Sequence, residues 1–326
     1  ENMSEGFLVL DNNTDILSYN TSALRLLGAE AVPAESHVSA LALNRSAGFR
    51  SAVDGALAGK RSEQLVRQGG RCCQVMANPV LRDGEVEGAV VVILDITERE
   101  ERENLRREFT ANVSHELKTP LTSISGYAEI IREGVAQPED VKGFAGKIYD
   151  EAHRLMALVE DIIRLSQLES REVAYEKEQV ELLGICKRVI ARLEHAAQRR
   201  GITFHLAGTA GKFWGVDQVV DEIVYNLCDN AIKYNKENGQ VTVLVSETQE
   251  QVVLTVEDTG IGIPSEEFER IFERFYRVDK SHSRAIGGTG LGLSIVKHGA
   301  AYHKAKIEVN STVGEGTAIS VIFPKS

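Results

Sequence analysis

The stretch Phe109-Thr110-Ala111-Asn112-Val113-Ser114-His115-Glu116-Leu117-Lys118-Thr119-Pro120-Leu121 sets a histidine and a glutamate on a patterned helix. Leu105, Phe109, Val113, Leu117 and Leu121 recur every fourth residue, the spacing of one helical face. At about 100° per residue His115 falls roughly 200° from Val113 and from Leu117, so its imidazole is expected to face solvent. A neutral imidazole there keeps one ring nitrogen free as a nucleophile. The adjacent Glu116 carboxylate can accept the proton of the other ring nitrogen. Thr119, one turn on, shares the face of His115, where its hydroxyl can orient a water. Pro120 removes the backbone bond to the Glu116 carbonyl and permits a kink. Taken alone, these residues also describe an exposed histidine beside a surface glutamate.

Working outward, Thr97 to Glu108 is a charged stretch without proline or glycine, which predicts a helix continuous with the one that carries His115. After a loop around Gly134-Val135-Ala136-Gln137-Pro138, a second helix shows Val141, Ile148, Leu155 and Ile162 seven residues apart, with Ala145, Ala152 and Val159 as a parallel seam. Such repeats favour supercoiled packing. Two helices bury such a stripe poorly, so two chains pairing into a four-helix bundle is the expected arrangement.

Upstream, Phe7 to Leu10 and Ile16 to Tyr19 flank the turn residues 11–15 and read as a hairpin. Asn20 can cap a short helix that Gly28 ends. Strands over Gln74 to Met76 and Gly88 to Ile96 join through Asp83-Gly84. The pattern is a mixed α/β domain. Downstream, helices near 182–199, 217–234 and 291–302 mix with strands at 241–246, 251–257, 306–310 and 318–323, a layered α/β pattern.

Three downstream segments suggest phosphate chemistry. Asn226, Asn230 and Lys233 are spaced four and three apart and share a helix face. Asparagine oxygens suit Mg²⁺ and a lysine meets phosphate, although the same residues are common on solvated helices. Glu257-Asp258-Thr259-Gly260-Ile261-Gly262-Ile263-Pro264 ends a strand in a carboxylate and a glycine turn, a place to read an adenine amino group. Gly287-Gly288-Thr289-Gly290-Leu291-Gly292-Leu293-Ser294-Ile295-Val296-Lys297 lets backbone approach an anion at a helix start. It lacks the lysine ending of a P-loop and follows no Rossmann first strand.

The 326 residues, too many for one ordinary domain, carry 37 basic and 48 acidic side chains, a net charge of −11, and are 43% hydrophobic. Such a chain folds into several soluble domains and is neither disordered nor a general nucleic-acid binder. No basic recognition helix for DNA appears. The longest apolar run, Gly88 to Leu94, falls far short of the roughly 20 residues of a membrane span. Cys72, Cys73, Cys186 and Cys228 suit a reducing compartment better than a disulfide framework or a zinc site.

Five segments occur in the order of the bacterial two-component sensor histidine kinases, which the chain resembles: SHELKTPL (114–121), NLCDNAIKY (226–234), EDTGIGIP (257–264), ERIFERFYR (269–277) and GGTGLGLSIVK (287–297). The likeness covers Thr97 to Ser326, and five ordered motifs are far more specific than any one. VLDNNTDILSYN (9–20) and GAVVVILDIT (88–97) resemble, more loosely, a PAS sensor domain. The arrangement is similar to the phosphate-regulon or cell-wall-sensing kinases.

The resemblance implies a multi-domain α+β protein: a PAS-like sensor at 1–96, a signalling helix at 97–108, an antiparallel helical hairpin at 109–170 forming a dimeric four-helix bundle, and an α/β sandwich ATP-binding domain of Bergerat type at 171–326. It implies ATP and Mg²⁺ as cofactors, with His115 as phosphoacceptor, Glu116 as its base and Thr119 serving phosphatase action on the partner. Asn226 would hold Mg²⁺, Asn230 and Lys233 would lie near the phosphates, Tyr234 beside the nucleotide, and Asp258 on the adenine amino group with Gly260 and Gly262 shaping its loop. Arg277 would approach the γ-phosphate. Gly288, Thr289, Gly290, Leu291 and Gly292 would form the lid.

The partners implied are a second copy and a response regulator receiver domain, with no nucleic acid, and the chain is expected to be the cytoplasmic portion of a membrane-anchored sensor. The ATP-binding domain would swing about a hinge near Ser166 to Glu176, driven through the helix at 97–108. The alternatives are an ATPase of the gyrase and chaperone type without histidine phosphotransfer, and an inactive scaffold. SHELKTPL argues against the first and the intact boxes against the second. Cys228 and Asp229, and the lead-in Val216-Asp217-Gln218, depart from the usual pattern without removing a group the reaction needs. For the sensor part, His37 as a haem ligand is a remote alternative to a ligand-free relay.

Overall fold

The computed structural model describes residues 4–29, 38–169, 176–278 and 288–325; His37 and most of the expected hinge lie outside them. The chain divides into two compact units, Glu1–Ala111 and Asn112–Ser326.

The first unit is a five-stranded antiparallel sheet in the order β2-β1-β5-β4-β3 with short helices against one face. The hairpin β1 (Gly6–Asp11) and β2 (Ile16–Tyr19) forms as expected. The Asn20 side chain accepts from the Ala23 N–H to start α1 (Thr21–Leu27), and Gly28, in the left-handed region at φ 71°, ends it. The short α2 (Ala40–Leu43), α3 (Ala47–Leu57) and β3 (Ser62–Gln68) follow. β4 (Arg71–Arg82) and β5 (Glu85–Asp95) turn through Asp83 and Gly84, both at positive φ. Strand alternation sends Leu8, Leu10, Val75, Ala77, Val91 and Ile93 into one core with Phe49, Ala52 and Val53 of α3.

The charged stretch and the histidine helix are one element, α4 (Thr97–Arg132), which passes through Pro120. Gly134, at φ 67°, turns the chain toward α5 (Pro138–Glu169), and Tyr127 stacks on Phe144 near that turn. Among the described residues α4 buries only Pro120, and α5 only Leu158 and Leu165. Val141 and Val159 of the heptad stripe stay exposed, as do Leu121, Tyr149, Met156 and Ile163, while Ile148, Leu155 and Ile162 are half-buried, so the described residues cover the stripe only in part.

The rest of the second unit is a two-layer sandwich. Its sheet runs β11-β12-β10-β9-β7, with β7 parallel to β9 and the other pairs antiparallel. The strands are β7 (Thr203–Gly208), β9 (Gln240–Glu247), β10 (Gln251–Asp258), β11 (Lys306–Thr312) and β12 (Gly316–Pro324). A small pair, β6 (Glu178–Glu181) with β8 (Lys212–Gly215), stands apart. The helices α6 (Leu182–Arg199), α7 (Asp217–Lys233) and α8 (Gly292–Tyr302) form the other layer.

Val241, Val243, Val245, Val252, Leu254, Val256, Val321 and Phe323 meet Ile185, Val189, Ile223, Val224 and Val296 between the layers. Cys186 and Cys228 pack in this core, where burial pushes the Cys186 thiol up to about 12. The four cysteines are free and buried, and no described helix is long and apolar enough to cross a membrane. α5 packs against α8, which brings the hairpin onto the sandwich.

Candidate nucleotide and phosphoacceptor site

A pocket opens where α7, the end of β10 and the start of α8 converge, and α5 forms one wall. The amphipathic pattern of α7 determines what reaches it: burying Val220, Ile223, Val224, Leu227 and Ala231 leaves Asn226, Asn230 and Lys233 on the pocket side.

Asn226 donates from Nδ2 to the Glu222 carbonyl at 2.9 Å. A Cβ on Gly292 would stand 2.8 Å from its Oδ1, so glycine there leaves room in front of the amide oxygen. That oxygen is a hard donor, and together with nucleotide phosphates the donor set fits Mg²⁺. Lys233 pairs with Asp229 at 2.6 Å. Burial alone would push its ammonium down, but the Asp229 carboxylate holds it above its usual value. Tyr234 follows as the C-cap of α7 and also lines the pocket.

Asp258 ends β10 at the opposite side. Its Oδ1 accepts from the Gly260 N–H at 2.8 Å. Burial pushes the carboxyl up to about 6, against the opposing effect of the Gly260 and Thr317 amides. Gly262, at φ 70°, makes the turn that follows. In the lid, Gly288, Thr289, Gly290 and Gly292 line the pocket, and Leu291 caps α8. Gly290 takes φ 76°, and a Cβ there would stand 2.9 Å from the Phe275 Cα, so the lid needs glycine at that point.

Arg277 reaches the same pocket. It is nearly buried, donates to the Gly288 carbonyl, and stands 3.6 Å from Glu116 Oε2. The other Glu116 oxygen lies 3.6 Å from Nδ1 of His115, whose side chain is 73% exposed, as the helical phase requires. Glu116 therefore bridges the histidine ring and a pocket arginine, at distances longer than hydrogen bonds. The Thr119 hydroxyl donates to the His115 carbonyl at 3.2 Å, so its proton is used on the helix and its oxygen remains as an acceptor.

The contribution of α5 was not legible in the sequence. Asp161 accepts from the Thr289 hydroxyl at 2.7 Å, and Arg164 pairs with Glu222 at 2.6 Å. Burial raises both carboxyls, Asp161 against the Thr289 hydrogen bond and Glu222 against the Arg164 charge. Helical periodicity could have found only that Asp161 shares a stripe with Leu158 and Leu165.

Comparisons with known proteins match three families along the chain. Residues 215–326 match the family described as histidine kinase-, DNA gyrase B- and HSP90-like ATPase, residues 105–171 the His Kinase A (phospho-acceptor) domain, and residues 1–101 the PAS fold. The chain is 33% identical, over 99% of its length and 54% of the relative's, to the sensor histidine kinase WalK of Bacillus subtilis. It is 38% identical, over 76% of its length and 64% of the relative's, to the sensor-like histidine kinase SenX3 of Mycolicibacterium smegmatis. It thus spans between half and two thirds of these relatives. Among solved structures, histidine kinase ThkA in complex with response regulator TrrA is similar in fold, with a TM-score of 0.57 at 22% identity over 98% of this chain and 96% of that one.

Proposed function

The chain belongs to the sensor histidine kinases, and from that premise we propose that it transfers the terminal phosphoryl group of ATP to His115 and then to an aspartate of a response regulator. The observation that carries this reading is the Glu116 carboxylate, which stands between the His115 ring and Arg277 of the nucleotide pocket. A gyrase-like ATPase would have no use for a histidine and carboxylate pair at its pocket mouth.

With Nδ1 turned toward Glu116, the nucleophile is Nε2 of His115. Its lone pair forms the bond to phosphorus as the bond to the ADP oxygen breaks, and Glu116 takes the proton from Nδ1. Phosphoryl transfer needs placement and charge neutralisation more than covalent help from protein. Lys233 and Arg277 supply positive charge, and the lid supplies backbone donors at the start of α8. Asp258 accepts from the adenine amino group. Mg²⁺, when bound through Asn226, neutralises phosphate charge and orients the nucleotide.

The same reading divides the chain into a sensor (1–96), a signalling helix (97–108), a dimerisation and phosphotransfer hairpin (109–170) and an ATP-binding domain (171–326). The exposed Val141 and Val159 of the stripe, with Met156 and Ile163 beside them, support a second copy completing the bundle. Thr119 keeps an acceptor oxygen one turn from His115, which supports a part in positioning water for dephosphorylation of the regulator.

The test is to mix chain already labelled from γ-labelled ATP with isolated receiver domains. The expected result is loss of label from the chain and gain of alkali-labile aspartyl phosphate on a receiver. Label that stays on the chain with every receiver offered would sink the relay.

A further inference from the structure

Asp161 belongs to the hairpin yet faces the nucleotide pocket. It lies on α5 between the buried Leu158 and Leu165, on a helix packed against α8. Its Oδ2 accepts from the Thr289 hydroxyl at 2.7 Å, and the same hydroxyl accepts from the Leu291 N–H at 3.3 Å. Leu291 is the cap residue of α8. A carboxylate from the hairpin is therefore joined, through one hydroxyl, to the positive end of the lid helix, where an anion is most stabilised.

The groups around it suit an anion as well. Arg164 and Lys233 both act on Asp161 with positive charge, while Asp229, already paired with Lys233, opposes it. Asp258, the expected adenine partner, lines the pocket from the end of β10, whereas Asp161 meets the glycine lid. Ion pairs hold α5 in place, Arg164 with Glu222 at 2.6 Å and Glu169 with Arg274, and Glu169 also stands 3.3 Å from the His298 ring.

We propose that Asp161 occupies the place of the terminal phosphate, so that the contact of α5 with the lid tolerates a nucleoside diphosphate and is broken by a triphosphate. This rests on the reading of the pocket as an ATP site. A diphosphate ends one phosphate short and leaves the bond between Asp161 and Thr289 intact. A third phosphate brings negative charge against the Asp161 carboxylate in a half-buried site, where like charges repel strongly. Triphosphate binding and α5 docking are thus antagonistic, and linkage makes the effect reciprocal. Once the terminal phosphoryl group has left, ADP permits the contact between Asp161 and Thr289 to re-form. Asp161 is in this sense a determinant of the choice between ATP and ADP, supplied by the element that also carries the heptad stripe.

The experiment measures binding of the β,γ-imido analogue of ATP and of ADP, each with Mg²⁺, to the full chain by calorimetry, for the unaltered protein, Asp161→Ala and Asp161→Asn. The Ala variant removes charge and acceptor; the Asn variant keeps an acceptor and removes the charge, so it reads the proposal if Ala fails to fold. Both are expected to tighten the triphosphate by about fivefold or more and to change ADP by less than about twofold. Equal changes for the two nucleotides, no change, or weaker triphosphate binding would overturn the proposal alone. An unaltered chain that binds neither nucleotide would overturn the ATP reading and the proposal with it.

Discussion

Oε2 of Glu116 stands 3.6 Å from the guanidinium of Arg277, although the two residues lie on the hairpin and beside the lid respectively. The pair joins the phosphoacceptor helix to the nucleotide pocket through one carboxylate, whose other oxygen faces the His115 ring. Replacing Glu116 by Gln keeps the shape and removes the base. Autophosphorylation is expected to fall about 100-fold, in the range of a lost general base, while nucleotide affinity changes little. Rates of label incorporation and a fluorescent-nucleotide titration on the same variant separate the two.

Asp258 titrates at about 6 in the folded chain because burial disfavours its charge. The ionised form accepts from the adenine amino group, so nucleotide affinity should decline as pH falls through about 6, approaching tenfold per unit below it. Asp258→Ala should bind weakly at every pH and show no inflection there. The stability effect has the opposite sign: a raised carboxyl pKa makes the folded state lose stability as pH rises from the ordinary carboxylate range to about 6. Calorimetric titrations and thermal unfolding across pH 4.5 to 8 check both.

Gly292 opens α8 directly over Asn226, with only 2.8 Å between a would-be Cβ and the amide oxygen. Gly292→Ala should therefore displace that oxygen and cost about 1–3 kcal/mol of nucleotide affinity in the presence of Mg²⁺. The unfolding midpoint should move much less than for a core truncation, because the added methyl meets the pocket and not the sandwich interior.

His303 is buried at the C-cap of α8, where its Nδ1 donates to the Gly299 carbonyl at 2.9 Å and its Nε2 accepts from the Val216 N–H at 3.0 Å. Only the neutral ring makes both bonds, and burial lowers its pKa. The unfolded chain takes up this proton near pH 6.5 and the folded one only below that, so stability is full above about 6.5 and falls as pH drops toward the folded value. His303→Phe should flatten this part of the profile and cost about 1–3 kcal/mol at pH 7.5 by orphaning the Val216 N–H. Denaturant unfolding at several pH values reads it.

The three sandwich helices and the strands β9, β10, β11 and β12 were legible because each has its own period. The α6 and α7 stripes, and the valine alternation in β9 and β10, need no knowledge of a partner. β7 was missed: its Thr203–Gly208 pairs parallel with β9, a choice set by tertiary contact and not by local pattern. In the first unit α3 was missed although Ser46 caps it and Phe49, Ala52, Val53 and Ala56 follow at helical spacing. Gly48 and Gly55 within that segment hide the signal. Three of the five boxes, 226–234, 257–264 and 287–297, fall on the parts of α7, the end of β10 and the lid that line the pocket. The part played by α5 was hidden because one heptad carboxylate looks like any other until the helix is docked.

The central claim is tested most directly by incubating the full chain with γ-labelled ATP and Mg²⁺ and following the chemistry of the label. The account requires acid-labile, alkali-stable label on the unaltered chain and none on His115→Gln, with nucleotide binding retained in that variant. Label that persists in His115→Gln, or that resists acid, would contradict it.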